Sequence, residues 1–280
     1  CVTSAIHNIF LGAYSGSASS AGTGCRNIAI GVRAATGLTT GCDNTVMGTY
    51  AGCAMTEGKY NLILGYNAGC RITTALLNVV LGACAGQCIT NQGCQIFIGV
   101  GAGQYSVNAQ YNTFIGHYAG RSSTACNSVI LGCYAGANGG GNRNVIIGSQ
   151  TGCNVSNGDN IILGTQAGTC LTNASRNIVI GMGAMSGDGS SNVLGDDNVV
   201  IGNCAGCCLT LGCYNSFVGR QAGCTVTTGC YNVAIGDAVQ LPSATGGCQF
   251  AIGQGTNRWI TGDSNFDIYD KDGNKLNGAS

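Results

Sequence analysis

The sequence has little of several residue types that soluble proteins use freely. It contains 1 Pro, 1 Trp and 2 His, and 8% of its residues are charged, against about 25% in an average domain. Scarce proline, without Gly at every third position, excludes a collagen triple helix. The formal net charge is +0 at pH 7. The chain therefore lacks a basic surface for phosphates, and we expect no nucleic-acid partner.

Long apolar runs and catalytic residue patterns are missing as well. No apolar run approaches the ~18 residues that a membrane helix requires, so we expect no membrane insertion. The few carboxylates fall in loops, and no catalytic triad, zinc-ligand spacing or phosphate-binding loop stands out. We predict that the protein is not an enzyme and uses no metal or cofactor. The chain starts at Cys1 instead of Met, which favours a fragment or a processed form.

Glycine and cysteine are abundant instead. The chain has 49 Gly and 19 Cys, and 45% of its residues are hydrophobic, a composition that argues against disorder. Cysteine at this density is typical of proteins that end in an oxidising environment. We therefore expect an extracellular location.

One motif recurs along the whole chain: Asn, three mostly apolar residues and Gly, as in Asn61-Leu-Ile-Leu-Gly65. Fifteen copies align, and 9 of the 14 spacings between successive motif glycines are 17 residues. The first position is Asn in 12 copies and Gln or Ser in the others. We call the invariant glycine of each copy the anchor glycine. The anchor glycines are Gly12, Gly31, Gly48, Gly65, Gly82, Gly99, Gly116, Gly132, Gly148, Gly164, Gly181, Gly202, Gly219, Gly236 and Gly253.

A repeat of this length predicts one coil of a parallel β-solenoid, since 17 residues are too few for a helical hairpin. The apolar triplet predicts a short strand, and the anchor glycine a corner with positive φ or no room for a side chain. The Asn column predicts a ladder of stacked amides. We therefore predict an all-β parallel solenoid, a β-roll or β-helix, of about fifteen ~17-residue coils over residues 1–257. Residues 258–280, with Trp259 and a hairpin around Asp272-Gly273, are expected to form a C-terminal cap.

The apolar triplet before each anchor glycine predicts an oligomer. We assign its first and third residues to the inside of the coil, which leaves the middle residue, never polar, on the outside. A strand that is apolar on both faces is buried on both faces, and an uncovered stripe of this length is unusual for a monomer. We therefore expect a closed homo-oligomer. Its predicted seam comprises Phe10, Val46, Ile63, Val80, Phe97, Phe114, Ile130, Ile146, Ile162, Val179, Val200 and Phe217.

The pattern Asn-x-x-Ile-Gly-x-x-Ala-Gly resembles glycine-rich repeats of phage tail-fibre and other virion fibre proteins. It is also similar to the β-roll heads of trimeric autotransporter adhesins, whose period is shorter. The resemblance covers about residues 5–257 and implies three parallel chains around a threefold axis. It also implies binding of a host-surface receptor or glycan through a distal domain.

The cysteines keep register with the repeat, and most lie at the two ends of the loop that joins successive coils. Three loops have Cys at both ends, which predicts loop-closing disulfides. Cysteines in the same column of neighbouring coils, such as Cys25/Cys42 and Cys53/Cys70, offer vertical pairs as an alternative, and a role as small apolar filler is a third. The candidate loop-closing residues are Cys88 with Cys94, Cys207 with Cys213, and Cys224 with Cys230.

These features together predict a mechanical function. The first hypothesis is a structural fibre, a rigid trimeric spacer on a virus particle that supports host attachment. The second is a bacterial cell-surface adhesin or extracellular filament. The third, from another class, is an ice-binding or ligand-binding solenoid, suggested by a column of Thr eight residues after many anchor glycines.

Overall fold

The computed structural model describes residues 7–17, 23–187, 193–265 and 267–276. The chain forms two compact units, Cys1–Gly139 and Gly140–Ser280, which we call the first and the second unit. The first six residues of the predicted repeat array and the last four of the predicted cap lie outside the described residues.

The first unit is a parallel β-solenoid with one three-residue strand per repeat. Like positions of the motif stand opposite each other, for example Ile63 opposite Val80. Successive strands hydrogen bond to each other, so each coil adds one strand to the sheet. The strands are β1 Ile9–Leu11, β2 Ile28–Ile30, β3 Thr45–Met47, β4 Leu62–Leu64, β5 Val79–Leu81, β6 Ile96–Ile98, β7 Thr113–Ile115 and β8 Val129–Leu131.

The second unit has the same parallel architecture, followed by two antiparallel strands. Strands β9 to β15 pair in parallel with like positions opposed. The last two strands run antiparallel, β16 against β15 and β17 against β16. The strands are β9 Val145–Ile147, β10 Ile161–Leu163, β11 Ile178–Ile180, β12 Val199–Ile201, β13 Ser216–Val218, β14 Val233–Ile235, β15 Phe250–Gln254, β16 Asn257–Gly262 and β17 Ile268–Asp270.

The predicted parallel β-solenoid is confirmed, and the described residues contain no helix. Beyond the repeats, β16 covers the edge of β15 that would otherwise be open. Trp259 lies on β16 with its side chain 63% exposed. A tight turn follows β17, where Tyr269 bridges Lys275.

The anchor glycines form the corner at which each strand ends. Those from Gly12 to Gly236 have φ between 126° and 138°, a region that is essentially closed to residues with a side chain. A Cβ at Gly82 would also lie 2.5 Å from the carbonyl oxygen of Gly99 in the next coil. Both predicted reasons for the glycine column, positive φ and close approach, are therefore present.

The predicted amide ladder is confirmed. The backbone N and Nδ2 of Asn61 donate to Oδ1 of Asn44, at 3.1 and 3.0 Å. Asn61 Nδ2 also donates to the carbonyl of Ala75 at 2.9 Å, and Asn61 Oδ1 accepts from the backbone N of Asn78 at 3.1 Å. Each buried amide thus bonds the coil on either side. Because buried polar groups are costly when unpaired, the ladder fixes the register between coils.

We expect Asn215→Ala to destabilise the second unit by about 4 kcal/mol, because it leaves several buried groups without partners. Asn215 Nδ2 donates to Oδ1 of Asn198 and to the carbonyl of Gly229, at 3.0 and 2.9 Å. Its Oδ1 accepts from the backbone N of Asn232 at 3.0 Å. Urea unfolding measures the change. Asn203→Ala, at an exposed position, is the matched control and should be near neutral; equal losses in both variants would contradict the ladder's role.

The core of each coil is built from the middle residues of the triplets. Phe97 and Phe114, for example, are 0% exposed, and their rings stack with centroids 4.9 Å apart. Ala residues three positions after the anchor glycines, such as Ala102 and Ala119, are buried as well. Together these columns fill the coil with large side chains on one wall and small ones on another.

The predicted oligomer seam is therefore wrong. Its residues point into the coil of their own chain, where the backbone and the small Ala column leave room for rings and branched chains. Eleven of the twelve are buried, and Phe10, in the first described coil, is half-buried. The buried eleven are Val46, Ile63, Val80, Phe97, Phe114, Ile130, Ile146, Ile162, Val179, Val200 and Phe217.

Candidate interaction surface

The first and third residues of each triplet form the outward side of the strands, which we call the outer face. They alternate with the buried middle residue, as a strand requires. Ile161 and Ile147, for example, are 40% and 38% exposed. None of the residues at these two positions is charged in any of the fifteen copies, and those at the third position are all Leu, Ile, Val or Met. Each unit thus carries an uncharged two-column surface along its strands, which is aliphatic except at Thr45, Thr113, Ser216 and Phe250.

The sequence contained a signal for the correct face. The motif Asn lies two residues before the middle residue, so both share one side of an extended strand. A ladder of amides needs a dry interior, and the same parity places the middle residue inside. The assignment failed because all three triplet positions are apolar, so hydrophobicity alone does not distinguish them.

Charged residues beside the outer face are paired along the coils. Arg26 bonds Asp43 through Nε at 2.6 Å, and Arg143 and Arg176 bond Asp159 and Asp197 in the same way. The hydrogen bond from Arg26 lowers the pKa of the Asp43 carboxyl. Exposed pairs of this kind contribute little to stability. Each of these three pairs is neutral as a whole, so the pairs add no net charge beside the outer face.

None of the three predicted loop-closing disulfides is formed. The residues Cys88, Cys94, Cys207, Cys213, Cys224 and Cys230 all carry free thiols. The physical reason is that the two ends of a loop form hydrogen bonds with different neighbouring coils and not with each other. Cys88 N donates to Gln104 O of the following coil, whereas Cys94 N donates to Leu76 O of the preceding one.

Cysteines in the same column approach each other instead. The sulfur atoms of Cys25 and Cys42 lie 2.8 Å apart, and Cys213 N donates to the sulfur of Cys230 at 3.2 Å. A hydrogen bond from the Cys70 thiol lowers the pKa of Cys53 to about 7. The same bond, together with burial, raises the pKa of Cys70.

The threonine column is used within the solenoid. Thr39 Oγ1 donates to the carbonyl of Thr56 at 3.1 Å, and Thr56 Oγ1 donates to Thr73 at 3.3 Å. Thr210 and Thr227 repeat the pattern in the second unit. Because five of the eight hydroxyls in the column hydrogen bond the next coil, most of the column does not present a free hydroxyl lattice. This arrangement does not favour the ice-binding hypothesis.

Among the described residues, no cluster of His, Cys, Asp or Glu has the geometry of a metal site. The same residues include no helix that is long and apolar enough to cross a membrane. Comparison with protein-family models, curated proteins and solved structures gave no significant match. The outer face is the most extensive apolar surface described for the two units.

Proposed function

We propose that this chain is a structural fibre protein, a rigid homotrimeric spacer on the surface of a virus particle that supports host attachment. The observation that carries the proposal is the uncharged, mostly aliphatic outer face of the strands. An apolar surface that extends over many coils is unfavourable in water and favours burial against a partner. The motif's resemblance to virion fibre repeats supplies the trimer and the setting.

A second and a third copy of the same chain are the partners that this surface fits. Its two aliphatic columns repeat at the pitch of the coils, one strand per repeat. Only a partner with the same pitch can match such a surface from coil to coil, and another copy has that pitch by construction. A parallel, symmetric arrangement also places equivalent residues at equivalent depth in all subunits.

The absence of charge on this face supports a permanent assembly instead of a transient one. Interfaces of obligate oligomers are more apolar than those of transient complexes and resemble a domain core that has been divided. In this chain both outer-face columns lack charged residues, while the ion pairs stand beside them. The trimer is therefore expected to form as part of folding.

Native mass spectrometry of the full chain tests this proposal. We expect a species of three chains, each of 28.1 kDa, that persists on dilution to nanomolar concentration. A stable monomer with folded β-structure would refute the fibre. Immunogold labelling then distinguishes the setting, because antibodies against the chain should decorate appendages of virus particles; decoration of cell-surface filaments alone would contradict the virion assignment.

A further inference from the structure

We infer that the solenoid carries a set of inter-coil disulfide sites, in which cysteines of the same column on successive coils bond to each other after folding. The pairs are Cys25 with Cys42 and Cys53 with Cys70 in the first unit, and Cys207 with Cys224 and Cys213 with Cys230 in the second. This inference does not rest on the trimer, since both members of every pair belong to one chain.

The spacing of the pairs follows from the fold. Each pair is separated by 17 residues, the length of one coil, so the two cysteines occupy equivalent positions in neighbouring coils. Adjacent parallel strands lie about 4.8 Å apart, and disulfides join Cα atoms about 4.4–6.8 Å apart. A coil of constant length thus places column neighbours within bonding range.

Contacts join the two cysteines of each pair, between the two side chains at Cys25/Cys42 and between a side chain and the backbone at the other three pairs. The two sulfurs of the Cys25/Cys42 pair are 2.8 Å apart, and Cys53 Sγ lies 3.3 Å from the carbonyl oxygen of Cys70. Backbone hydrogen bonds join the same coils next to these cysteines. Asp43 N donates to Cys25 O at 3.0 Å, and Ala54 N donates to Cys70 O at 3.1 Å. At Cys25/Cys42 little movement is needed to form the bond.

The chemistry at Cys53 and Cys70 fits exchange with a small-molecule disulfide such as oxidised glutathione. Cys53, with its pKa near 7, is present partly as thiolate at neutral pH, and the thiolate is the attacking species. It attacks one glutathione sulfur and releases a glutathione thiolate. Cys70 then loses its proton and attacks the mixed disulfide, which releases the second glutathione. The protein gains one disulfide, and oxidised glutathione is reduced to two thiols.

Peptide mapping of the oxidised full chain tests the first unit. The folded protein is treated with oxidised glutathione, remaining thiols are alkylated, and trypsin is added without reductant. The tryptic peptide 60–71 contains Cys70 as its sole cysteine, while 34–59 contains Cys42 and Cys53. We expect these peptides to remain linked. Cys53→Ser should abolish the link, and Cys42→Ser should leave it intact.

In the second unit the same digest separates the two pairing schemes. Peptide 177–220 holds both Cys207 and Cys213, and 221–258 holds both Cys224 and Cys230. Vertical bonds link the two peptides; loop-closing bonds leave them separate. The link should survive Cys224→Ser or Cys230→Ser alone and be lost in the double variant.

Cys94→Ser is the matched control, because Leu77 and Tyr111 occupy its column in the neighbouring coils. It should change none of these links. Separate peptides in the parent protein, links that survive Cys53→Ser, or bonds found mainly between chains on a non-reducing gel would each overturn the inference.

Discussion

Replacing Gly164 with alanine is expected to lower the stability of the second unit by about 4 kcal/mol, the upper range for a single substitution. Gly164 has φ +126°, and a Cβ there would lie 2.7 Å from the backbone carbon and oxygen of Gly181. Both atoms belong to the corner of the next coil, which cannot move without breaking its own strand pairing. Strain and overlap therefore add. Thermal unfolding followed by circular dichroism should show a midpoint about 10 °C lower.

The matched control is Gly255→Ala. Gly255 also has positive φ, at +56°, but nothing lies within 4 Å of a Cβ at that position. Its loss is expected to be about 1 kcal/mol, the cost of a left-handed residue alone. If the Gly164 and Gly255 variants unfolded together, close approach between coils would not be the reason for the invariant glycine column.

The fold could be predicted from the sequence because the same motif occurs fifteen times along the chain. A period of 17 residues with an apolar triplet allows one strand per coil, and parallel pairing of like positions follows from the constant length. The glycine corner and the amide ladder could be predicted from the chemistry of single positions in the motif. Glycine at each strand end and asparagine before most strands have few alternative explanations once they recur in register.

The inside and outside of the coil were harder to predict, because they depend on packing and not on polarity. Phe114 and Ile115 are neighbours and both apolar, yet the first is buried in its own coil and the second is partly exposed. Only the parity shared with the buried Asn112 distinguishes them. The direction of the cysteines had a similar difficulty, since loop ends that are close in sequence bond to different coils.

The proposed trimer contact on the outer face can be tested by one change that is repeated on every chain. We expect Ile161→Lys to dissociate the trimer, because a threefold assembly would bury three ammonium groups at one level of an apolar interface. The side chain is 40% exposed in the single chain, so the coil itself can accommodate lysine. We expect the dissociation constant to rise at least ~1,000-fold, about 4 kcal/mol. Sedimentation velocity over a dilution series measures it.

Two control variants show whether the effect of Ile161→Lys is specific to the outer face. Ile162→Lys, at the next position, places the charge in the buried core of the coil and should prevent folding of the single chain. Leu211→Lys changes a side chain that is exposed in a loop and lies off the outer face, so the trimer should remain. Folded monomer for Ile161→Lys and intact trimer for Leu211→Lys locate the interface on the strands. If the trimer survived Ile161→Lys or were lost with Leu211→Lys, the contact would lie on another side of the coil. In a symmetric assembly every chain contacts its partners through the same residues.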